Sequence, residues 1–384
     1  MARAYLDHAS SSPLRTAALE AMLPFLAGNP ADPGRVHSDG RVTRVALEEA
    51  REAVAALVGA RPREVVFTAT GTEAVNTAVW GAIAHGAPRH AGTKRSHVVT
   101  TAVEHSAVLE SCQRADVDLT VVGVDRAGRF DAPALLAALR PETVLVSVQL
   151  ANHEVGTLQG AVPDVVAGAR AHGTLVHVDA CAAAGHVPLD FATLGPDLCS
   201  ITAHKLGGPK GAAALLVRRG VRIPPFVVGG AQERARRAGI EDVPAIVGFG
   251  AAARELVAGA RLAQEAATAL AQTEELLDAA RAVEGVTQLG DPTSRLPHLV
   301  CLAVDGVEAE PVLLGLDQRG IAVHSGSSCS SETLEPSPVL AAMGVDAEHS
   351  LRPSVGWSTT SADIAAFATA FPEVVGKLRA LRGA

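Results

Sequence analysis

Lys205 is the residue whose chemistry stands out in this sequence. Only four of the 33 lysine and arginine residues are lysines, and Lys205 lies in the segment 200–211, which ends in Gly-Gly-Pro-Lys-Gly. A Schiff base requires an amine that can lose its proton, which lysine supplies and arginine does not. An ordinary surface lysine is the alternative at any single position, but the apolar, glycine-rich setting of Lys205 favours a covalent link to a cofactor.

Two other segments place polar groups at the ends of apolar runs. Asp179 ends the run Leu-Val-His-Val, where a carboxylate could pair with a protonated pyridine nitrogen, although a helix cap is an equal alternative. Gly71 and Thr72 follow Val-Val-Phe-Thr and begin a helical pattern, so backbone N–H groups and the Thr72 hydroxyl suit a phosphate. Taken alone, a plain capped helix explains this second segment better.

Cys329 and Arg352 are the candidates for substrate chemistry. Cys329 lies in the run Ser-Gly-Ser-Ser-Cys-Ser-Ser, whose small polar residues predict a mobile, solvated loop and a reactive thiol. Cys199 and Cys301 are typical of buried cysteines, and Cys181 is ambiguous. Arg352 lies in an apolar segment, where its planar guanidinium group could bind a substrate carboxylate through two parallel hydrogen bonds. A structural salt bridge is the alternative.

Composition argues against several other kinds of function. The net charge is -8 and no run of like charge occurs, so neither nucleic-acid nor membrane binding is expected. Five cysteines without a C-x-x-C pair, and 14 histidines without a ligand motif, predict no disulfide framework and no metal site. The start of the chain lacks a signal-peptide pattern, and no apolar run approaches the roughly 20 residues of a membrane span, which predicts a cytoplasmic protein.

The segment from about residue 64 to 219 predicts the scaffold for these residues. Short β-branched runs alternate there with alanine-rich amphipathic stretches, which indicates an α/β fold with a largely parallel sheet. Its ligand should lie beyond the carboxyl ends of the strands. The predicted strands are 65–68, 97–100, 119–122, 144–150, 175–178, 198–202 and 212–217, and the predicted helices are 42–57, 72–83, 107–113, 132–139 and 162–171.

The rest of the chain predicts a smaller α+β part. A long helix from about residue 245 to 283, broken near Gly259, precedes strand-like runs at 299–304 and 320–323. We therefore expect a large cofactor-binding domain at 14–258 and a small domain, formed by 1–13 and 259–384, that carries the cysteine loop. An active site between the two domains is the natural arrangement.

Taken together, these segments resemble the cysteine desulfurases of the nitrogenase and iron–sulfur-cluster type, within the class V aminotransferase group. The resemblance runs in order over nearly the whole chain, at 5–13, 28–30, 71–73, 104–108, 152–156, 177–180, 203–205, 325–329 and 334–337. It implies a transferase dependent on pyridoxal 5'-phosphate (PLP), with the fold type I of aspartate aminotransferase. Such an enzyme converts L-cysteine to L-alanine, passes the sulfur to an acceptor protein and forms a homodimer.

The resemblance also implies roles for individual residues. The catalytic positions would be Cys329 as persulfide carrier, Lys205 as the PLP-bearing lysine and His105, which would stack over the ring. The cofactor-binding positions would be Lys205, Gly71, Thr72, His105, His153, Asp179, Thr202 and His204, and the substrate-binding positions Arg352, Asn152 and His153.

Three positions depart from the family pattern. His153 stands where the family usually has Asn, Ala182 where it usually has Gln, and Ile240 where a Thr usually reaches the phosphate in the partner subunit. A lost partner for a buried polar group costs on the order of 1–3 kcal/mol, although His153 could replace one contact. Another class V reaction (selenocysteine lysis, C–S cleavage or epimerisation) and a non-catalytic sulfur-relay protein therefore remain alternatives, and the sequence does not identify the sulfur acceptor.

Overall fold

The predicted strands of the central segment lie side by side in one seven-stranded sheet. The structure, a computed structural model, describes residues 3–86, 95–325 and 337–382. Its strands are β1 (Ala4–Tyr5), β2 (Val65–Thr68), β3 (His97–Thr101), β4 (Asp118–Val122), β5 (Thr143–Gln149), β6 (Leu175–Asp179), β7 (Leu198–Thr202), β8 (Ala213–Val217), β9 (Val286–Leu289), β10 (Cys301–Val304), β11 (Ile321–Ala322), β12 (His324–Ser325) and β13 (Ser350–Arg352). The seven predicted strands from 65 to 217 all form, with ends that shift by one residue at most.

The strand order of the large sheet is β2-β8-β7-β6-β5-β3-β4. Every pairing in it is parallel except the two made by β8, which runs opposite to both of its neighbours. The carboxyl ends of the other six strands therefore share one edge of the sheet. Most of these strands are buried along their whole length, as expected for a parallel sheet that is covered on both faces. The predicted α/β class with a mainly parallel sheet is confirmed.

Helices cover both faces of this sheet, and others pack with the strands of the second part of the chain. They are α1 (Thr16–Leu23), α2 (Ser38–Leu57), α3 (Gly71–Gly86), α4 (Ser106–Arg114), α5 (Ala132–Ala137), α6 (Val162–His172), α7 (Phe191–Leu194), α8 (Gln232–Ala235), α9 (Val243–Val257), α10 (Arg261–Arg281), α11 (Ala309–Asp317), α12 (Pro338–Ala342) and α13 (Ser361–Arg382). Helix α9 packs against α1 and α2. A Cβ atom on Gly250 would lie 2.5 Å from the Cα atom of Ala50, so α2 and α9 approach closely because this residue has no side chain.

A second, four-stranded antiparallel sheet has the order β12-β13-β10-β9, and β1 pairs separately with β11 in parallel. The predicted strand at 320–323 is shortened to β11, and β12, which follows it directly, belongs to the four-stranded sheet. A separate hydrophobic cluster lies here and joins Ala4 and Leu6 to residues between 269 and 375. This cluster supports the proposed division at 258/259, which remains a prediction.

The stretch 243–281 is long and apolar enough, by length and composition alone, to cross a membrane. Half of its most apolar window is buried inside the protein. Left-handed φ angles of 58° at Gly259 and Ala260 interrupt the stretch between α9 and α10. The packing of α9 against α1 and α2 accounts for its apolar composition, as in other core helices.

A buried ion pair fixes the strand that leads into the first predicted site segment. The Arg51 guanidinium donates to both oxygens of Glu233 at 2.7 Å, and each side chain is 1% exposed. Glu233 also accepts from the backbone N–H of Phe67 in β2 at 2.9 Å. The backbone of Glu233 is left-handed, with φ of 47°, which costs energy that the ion pair offsets.

We predict that Glu233→Ala lowers the urea-unfolding midpoint strongly. Removing one partner of a buried ion pair typically costs about 3–5 kcal/mol, and the more exposed Glu48, 3.1 Å from Arg51, offsets only part of this cost. The matched control is Glu373→Ala, because Glu373 is 62% exposed and lies 3.7 Å from Arg319, a type of pair worth less than about 1 kcal/mol. Equal midpoints for the two variants, at one protein concentration, would contradict the stabilising role of Arg51 and Glu233.

Candidate active site

A cavity of about 480 Å³ lies at the shared carboxyl edge of the large sheet. This volume is within the range of about 300–1,000 Å³ that is usual for small-molecule sites. The predicted site residues that border it are Gly71, Thr72, His105, His153, Asp179, Thr202, His204, Lys205 and Arg352. Asn152 is not among the residues that border it, and Cys329 lies outside the described residues.

Asp179, the last residue of β6, brings a negative charge into the protein interior. It is 8% exposed, and its Oδ1 atom accepts a hydrogen bond from the Cys181 N–H at 3.0 Å. Burial by itself raises the pKa of Asp179, but electrostatic interaction with His177 and the bond from Cys181 outweigh burial and lower it below its usual value. Asp179 is therefore an ionised carboxylate beside the cavity, not the cap of a helix.

Glu104 is a second buried carboxyl group close to Asp179, and its state is the opposite. Its Oε1 atom accepts from the Thr101 hydroxyl and from the Gln149 N–H, whereas its Oε2 atom is buried and has no hydrogen-bond partner in the described part of the chain. Burial, with a smaller effect from the negative charge of Asp179, raises the pKa of Glu104 to about 8. Glu104 is consequently neutral at pH 7, so only one of the two acids carries a charge.

Helix α3 begins at Gly71, directly after β2, and its first turn faces the cavity. The Thr70 hydroxyl accepts from the Glu73 N–H and so caps the helix, and the Glu73 carboxylate accepts from the Ala69 N–H just before the cap. The simpler expectation of a capped helix is thus correct as well. A Cβ atom on Gly71 would lie 2.9 Å from Cys181 Sγ, so a larger residue here would displace the cavity wall.

Three histidines contribute rings to the cavity wall. His105 caps helix α4 through its Nδ1 atom, which accepts from the Ala107 N–H at 3.1 Å, and its ring centroid lies 5.2 Å from that of His153. The His153 Nε2 atom lies 3.6 Å from a carboxylate oxygen of the buried Glu154. Burial lowers the pKa of His204 to about 4, with smaller effects from nearby lysines, so this imidazole is neutral at pH 7.

Arg352, in β13, is 1% exposed and joins three parts of the chain. Its guanidinium donates to the backbone carbonyl of His153 at 2.9 Å, to Ser10 Oγ at 2.7 Å and to Asp7 Oδ1 at 3.3 Å. Its Nε–H is buried without a hydrogen-bond partner among the described residues. Both interpretations of this arginine therefore have support, since it makes structural contacts and its Nε–H is not used by them.

Asn152 shapes the turn beneath His153. Its Oδ1 atom accepts from the N–H groups of Glu154 and Val155, both at 2.8 Å, and its amide donates to the Val103 carbonyl. The side chain is fully buried. Its contacts are those of a residue that fixes a turn, so the predicted contact of Asn152 with substrate stays a prediction.

The described cysteines are poor nucleophiles. Burial raises the pKa of Cys112 and of Cys301 to about 12, and it raises the pKa of Cys199 and Cys181 as well. Cys181 borders the cavity, where the negative charge of Asp179 adds to the effect of burial. A thiolate at neutral pH is therefore disfavoured at all four.

The donors around the cavity fit PLP. An ionised carboxylate at Asp179 suits a protonated ring nitrogen, the lysine amine of Lys205 suits the aldehyde, and the start of α3 suits the phosphate. The hydroxyl of Thr202 borders the cavity and is buried without a hydrogen-bond partner in the described part of the chain, as a residue awaiting a polar ligand would be. Residues 3–86, 95–325 and 337–382 contain no cluster of three or more acidic, histidine or cysteine side chains that could hold a metal ion.

Sequence reasoning assigned no role to several residues that border the cavity. Lys210 is one of the four lysines of the chain and lies in the segment 200–211 with Lys205, so the scarcity of lysine could have indicated that it borders the site. Gln149 ends β5 as Asp179 ends β6, which was a second signal. Ser10 and Ser11 come from the start of the chain, and nothing local in the sequence predicts their position.

Comparison with known proteins gives a consistent result. The aminotransferase class-V family profile matches residues 4–367. A cysteine desulfurase IscS of Dictyoglomus turgidum is 38% identical over 98% of this chain and 95% of its own length, and a cysteine desulfurase of Cereibacter sphaeroides is 40% identical over 99% and 98%. Among solved structures, a NifS-like protein has a TM-score of 0.89 at 30% identity over 98% of this chain and all of its own, and SspA in complex with cysteine has a TM-score of 0.79 at 28% identity over 92% and 98%.

We predict that Glu104→Gln removes a pH-dependent loss of stability. Folding raises the pKa of Glu104, so the contribution of this group to the free energy of unfolding is fully present below its pKa in the unfolded chain, near 4.5. That contribution is lost as the pH rises toward 8. Gln keeps the shape of the neutral acid, so between pH 5 and pH 8 the variant should gain on the order of 2–4 kcal/mol relative to the parent. Urea-unfolding midpoints of the two cofactor-free proteins at both pH values measure this, and parallel changes in both proteins would disprove a neutral Glu104.

Proposed function

The chain belongs to the aminotransferase class-V family and, within it, to the cysteine desulfurases, and we propose that it uses PLP at Lys205 to move sulfur from L-cysteine to Cys329. The observation that carries the proposal is the meeting of Lys205, an ionised Asp179 and the start of helix α3 at one cavity. In this family such an enzyme has fold type I, which agrees with the mainly parallel sheet.

PLP, when bound, supplies an electron-poor ring that stabilises negative charge on the α-carbon of an attached amino acid. Asp179 would hold the ring nitrogen in its protonated form, because its carboxylate is ionised and buried. The backbone of Gly71 with the hydroxyl of Thr72 would bind the phosphate, and His204 and Lys210 border the same cavity. The neutral Glu104 leaves Asp179 as the dominant negative charge at this edge.

Arg352 would bind the substrate carboxylate. Its Nε–H makes no hydrogen bond among the described residues, and Arg352 borders the cavity. The amine of Lys205 would then take the proton from the substrate α-carbon, with His105 and His153 on the cavity wall as further groups able to hold a proton. A cysteine complex has been solved for SspA, which has the same fold.

Cys329 would receive the sulfur. Its thiolate attacks the substrate sulfur, so an S–S bond forms while the bond from sulfur to the β-carbon breaks and its electron pair passes to the substrate carbon. After the carbon is protonated, alanine leaves and a persulfide stays on Cys329, ready for an acceptor protein. Support comes from the other thiols, because burial raises the pKa of Cys112, Cys181, Cys199 and Cys301 and so disfavours their thiolates.

We also propose that the enzyme is cytoplasmic.

We predict that Cys329→Ser abolishes alanine formation, by more than about a hundredfold, while PLP binding is retained. The matched control is Cys112→Ser, which alters a buried thiol away from the cavity and should leave turnover near that of the parent. Alanine is counted by chromatography, and PLP by its visible absorption.

Lys205→Ala tests the cofactor site in the same series. Borohydride treatment followed by mass spectrometry should find PLP on the peptide that contains residue 205 in the parent and in Cys329→Ser, and none in Lys205→Ala. Alanine formation by Cys329→Ser at the parental rate would eliminate the sulfur-carrier assignment, and label elsewhere would eliminate the lysine assignment.

We further propose that the enzyme is a homodimer. Helix α1 and the turn after it expose Leu19, Leu23 and Leu26 by 45%, 51% and 59%, at the spacing of one helix face. A leucine stripe of this kind is costly in water unless a partner covers it. Ile240, the residue that departs from the family pattern at the partner's phosphate, is also exposed, by 65%.

The expected mass in sedimentation is twice 39.2 kDa. Leu23→Asp should shift the protein toward the monomer, because a carboxylate would be buried in the interface. Leu314→Asp is the control, since Leu314 in α11 is equally exposed, at 56%, but lies in the part of the chain with the second sheet. A monomeric parent protein, or equal effects of both variants, would exclude this dimer surface.

A further inference from the structure

The backbone around Lys205 is held by hydrogen bonds from outside its own segment. Each of the four consecutive carbonyls from His204 to Gly207 accepts one such bond. Ser12 N–H donates to the His204 carbonyl at 2.8 Å, and Arg15 donates through Nε to that of Leu206 and through N–H to that of Gly207, both at 2.9 Å. Three of the four bonds thus come from the segment 12–15.

The fourth carbonyl, that of Lys205 itself, pairs with His186 Nε2 at 3.1 Å. Burial, with smaller effects from neighbouring positive groups, lowers the pKa of His186 to about 3, so the ring is neutral at pH 7. Because a carbonyl only accepts, the neutral ring must carry its proton on Nε2. Gly185 lets the turn approach this closely, since a Cβ atom there would lie 2.4 Å from the Cβ atom of Leu206.

His186 is in turn covered by a ring from the other part of the chain. The His298 imidazole stacks on it with a centroid distance of 3.5 Å and an angle of 14° between the ring planes. His298 is 2% exposed and precedes β10 of the second sheet, whereas His186 follows β6 of the first. A second cavity, of about 250 Å³, borders both rings and Lys205, so without this pair water could reach the carbonyl.

We propose that His186 is a positioning residue for Lys205, and that His298 keeps His186 in place from the side of the second sheet. The inference deepens the proposed function, because it assumes that Lys205 is the reactive lysine. The stacked pair would fix the direction in which the Lys205 side chain leaves the backbone. It would also connect that direction to the placement of the sheet that carries Arg352.

The test separates the hydrogen bond from the stacking. His186→Phe keeps a ring and removes the donor, whereas His186→Gln keeps an N–H near the place of Nε2 and removes the ring. His298→Phe keeps the stack, and His298→Ala removes it. His97→Phe is the control for loss of a buried imidazole, because His97 is buried, bonds to Thr143 and Thr120, and lies at the amino end of β3, opposite the cavity.

The first measurement is amide hydrogen exchange in the cofactor-free protein, followed by mass spectrometry on the peptide containing residues 203–207. We expect exchange about tenfold faster in His186→Phe and in His298→Ala, and close to the parental rate in His186→Gln, His298→Phe and His97→Phe. The strand peptide 143–149 should be unchanged in the two affected variants. Parental exchange in His186→Phe would overturn the proposal.

The second measurement is steady-state turnover of the PLP-loaded enzyme. In His186→Phe, kcat for alanine formation should fall about tenfold with the KM for cysteine within twofold of the parent, and His186→Gln should restore most of it. Faster exchange without any fall in kcat would overturn the link to catalysis. The exchange experiment needs neither cofactor nor turnover, so its outcome is independent of Lys205→Ala, which tests the proposed function itself.

Discussion

Two neighbouring buried carboxyl groups, Asp179 on the cavity wall and Glu104 close to it, are held in opposite charge states, and the chemistry of the site depends on this difference. A carboxylate in the interior is costly unless nearby groups compensate for the lost water. Asp179 has such compensation from His177 and Cys181, whereas one oxygen of Glu104 has no hydrogen-bond partner among the described residues. The charge of Asp179 also makes a second charge on Glu104 less favourable. The described wall of the cavity therefore carries the Asp179 carboxylate at a defined place, with the basic groups of Lys205 and Arg352 on the same wall.

The direction of the strands brings these groups together. Since six strands end at one edge of the large sheet, residues that are far apart in sequence, such as Gly71 and Asp179, meet there without a long connecting loop. The second sheet adds Arg352 through β13, and the start of the chain adds Ser10, which accepts from that arginine. The site is thus assembled from both sheets, and the stacked rings of His186 and His298 form one more contact between them.

Much of this arrangement could be predicted from the sequence, because its signals are local. The alternation of apolar runs and amphipathic stretches gave the order of strands and helices between 65 and 217, and the polar residues after each run, such as Asp179 and Lys205, indicated the edge. The alternative, purely structural roles of two site residues were partly correct too. Helix α3, which begins at Gly71, is capped by Thr70, and Arg352 donates to the backbone carbonyl of His153.

What the sequence did not reveal depends on contacts between distant segments. The neutral state of Glu104 follows from its burial, which no local pattern shows. The pairing of Arg51 with Glu233 joins residues 182 positions apart, and the stack of His186 on His298 joins two parts of different topology. The predicted strand at 320–323 ends early because β11 pairs with β1, whereas the next residues form β12 and pair with β13.

Early and late segments are joined most directly at β1, which lies beside β11, while Asp7 forms a bridge to Ser354. On the ribosome, at roughly 5–20 residues per second, the first of these segments waits for tens of seconds before the second is made. The strands of the large sheet all lie before residue 218, and Glu233 and α9, which pack with them, lie before residue 258, so the sheet can assemble during that interval. A nascent chain would then possess the lysine segment and its anion well before Arg352 arrives, and the completed pocket is among the last features of the molecule to form.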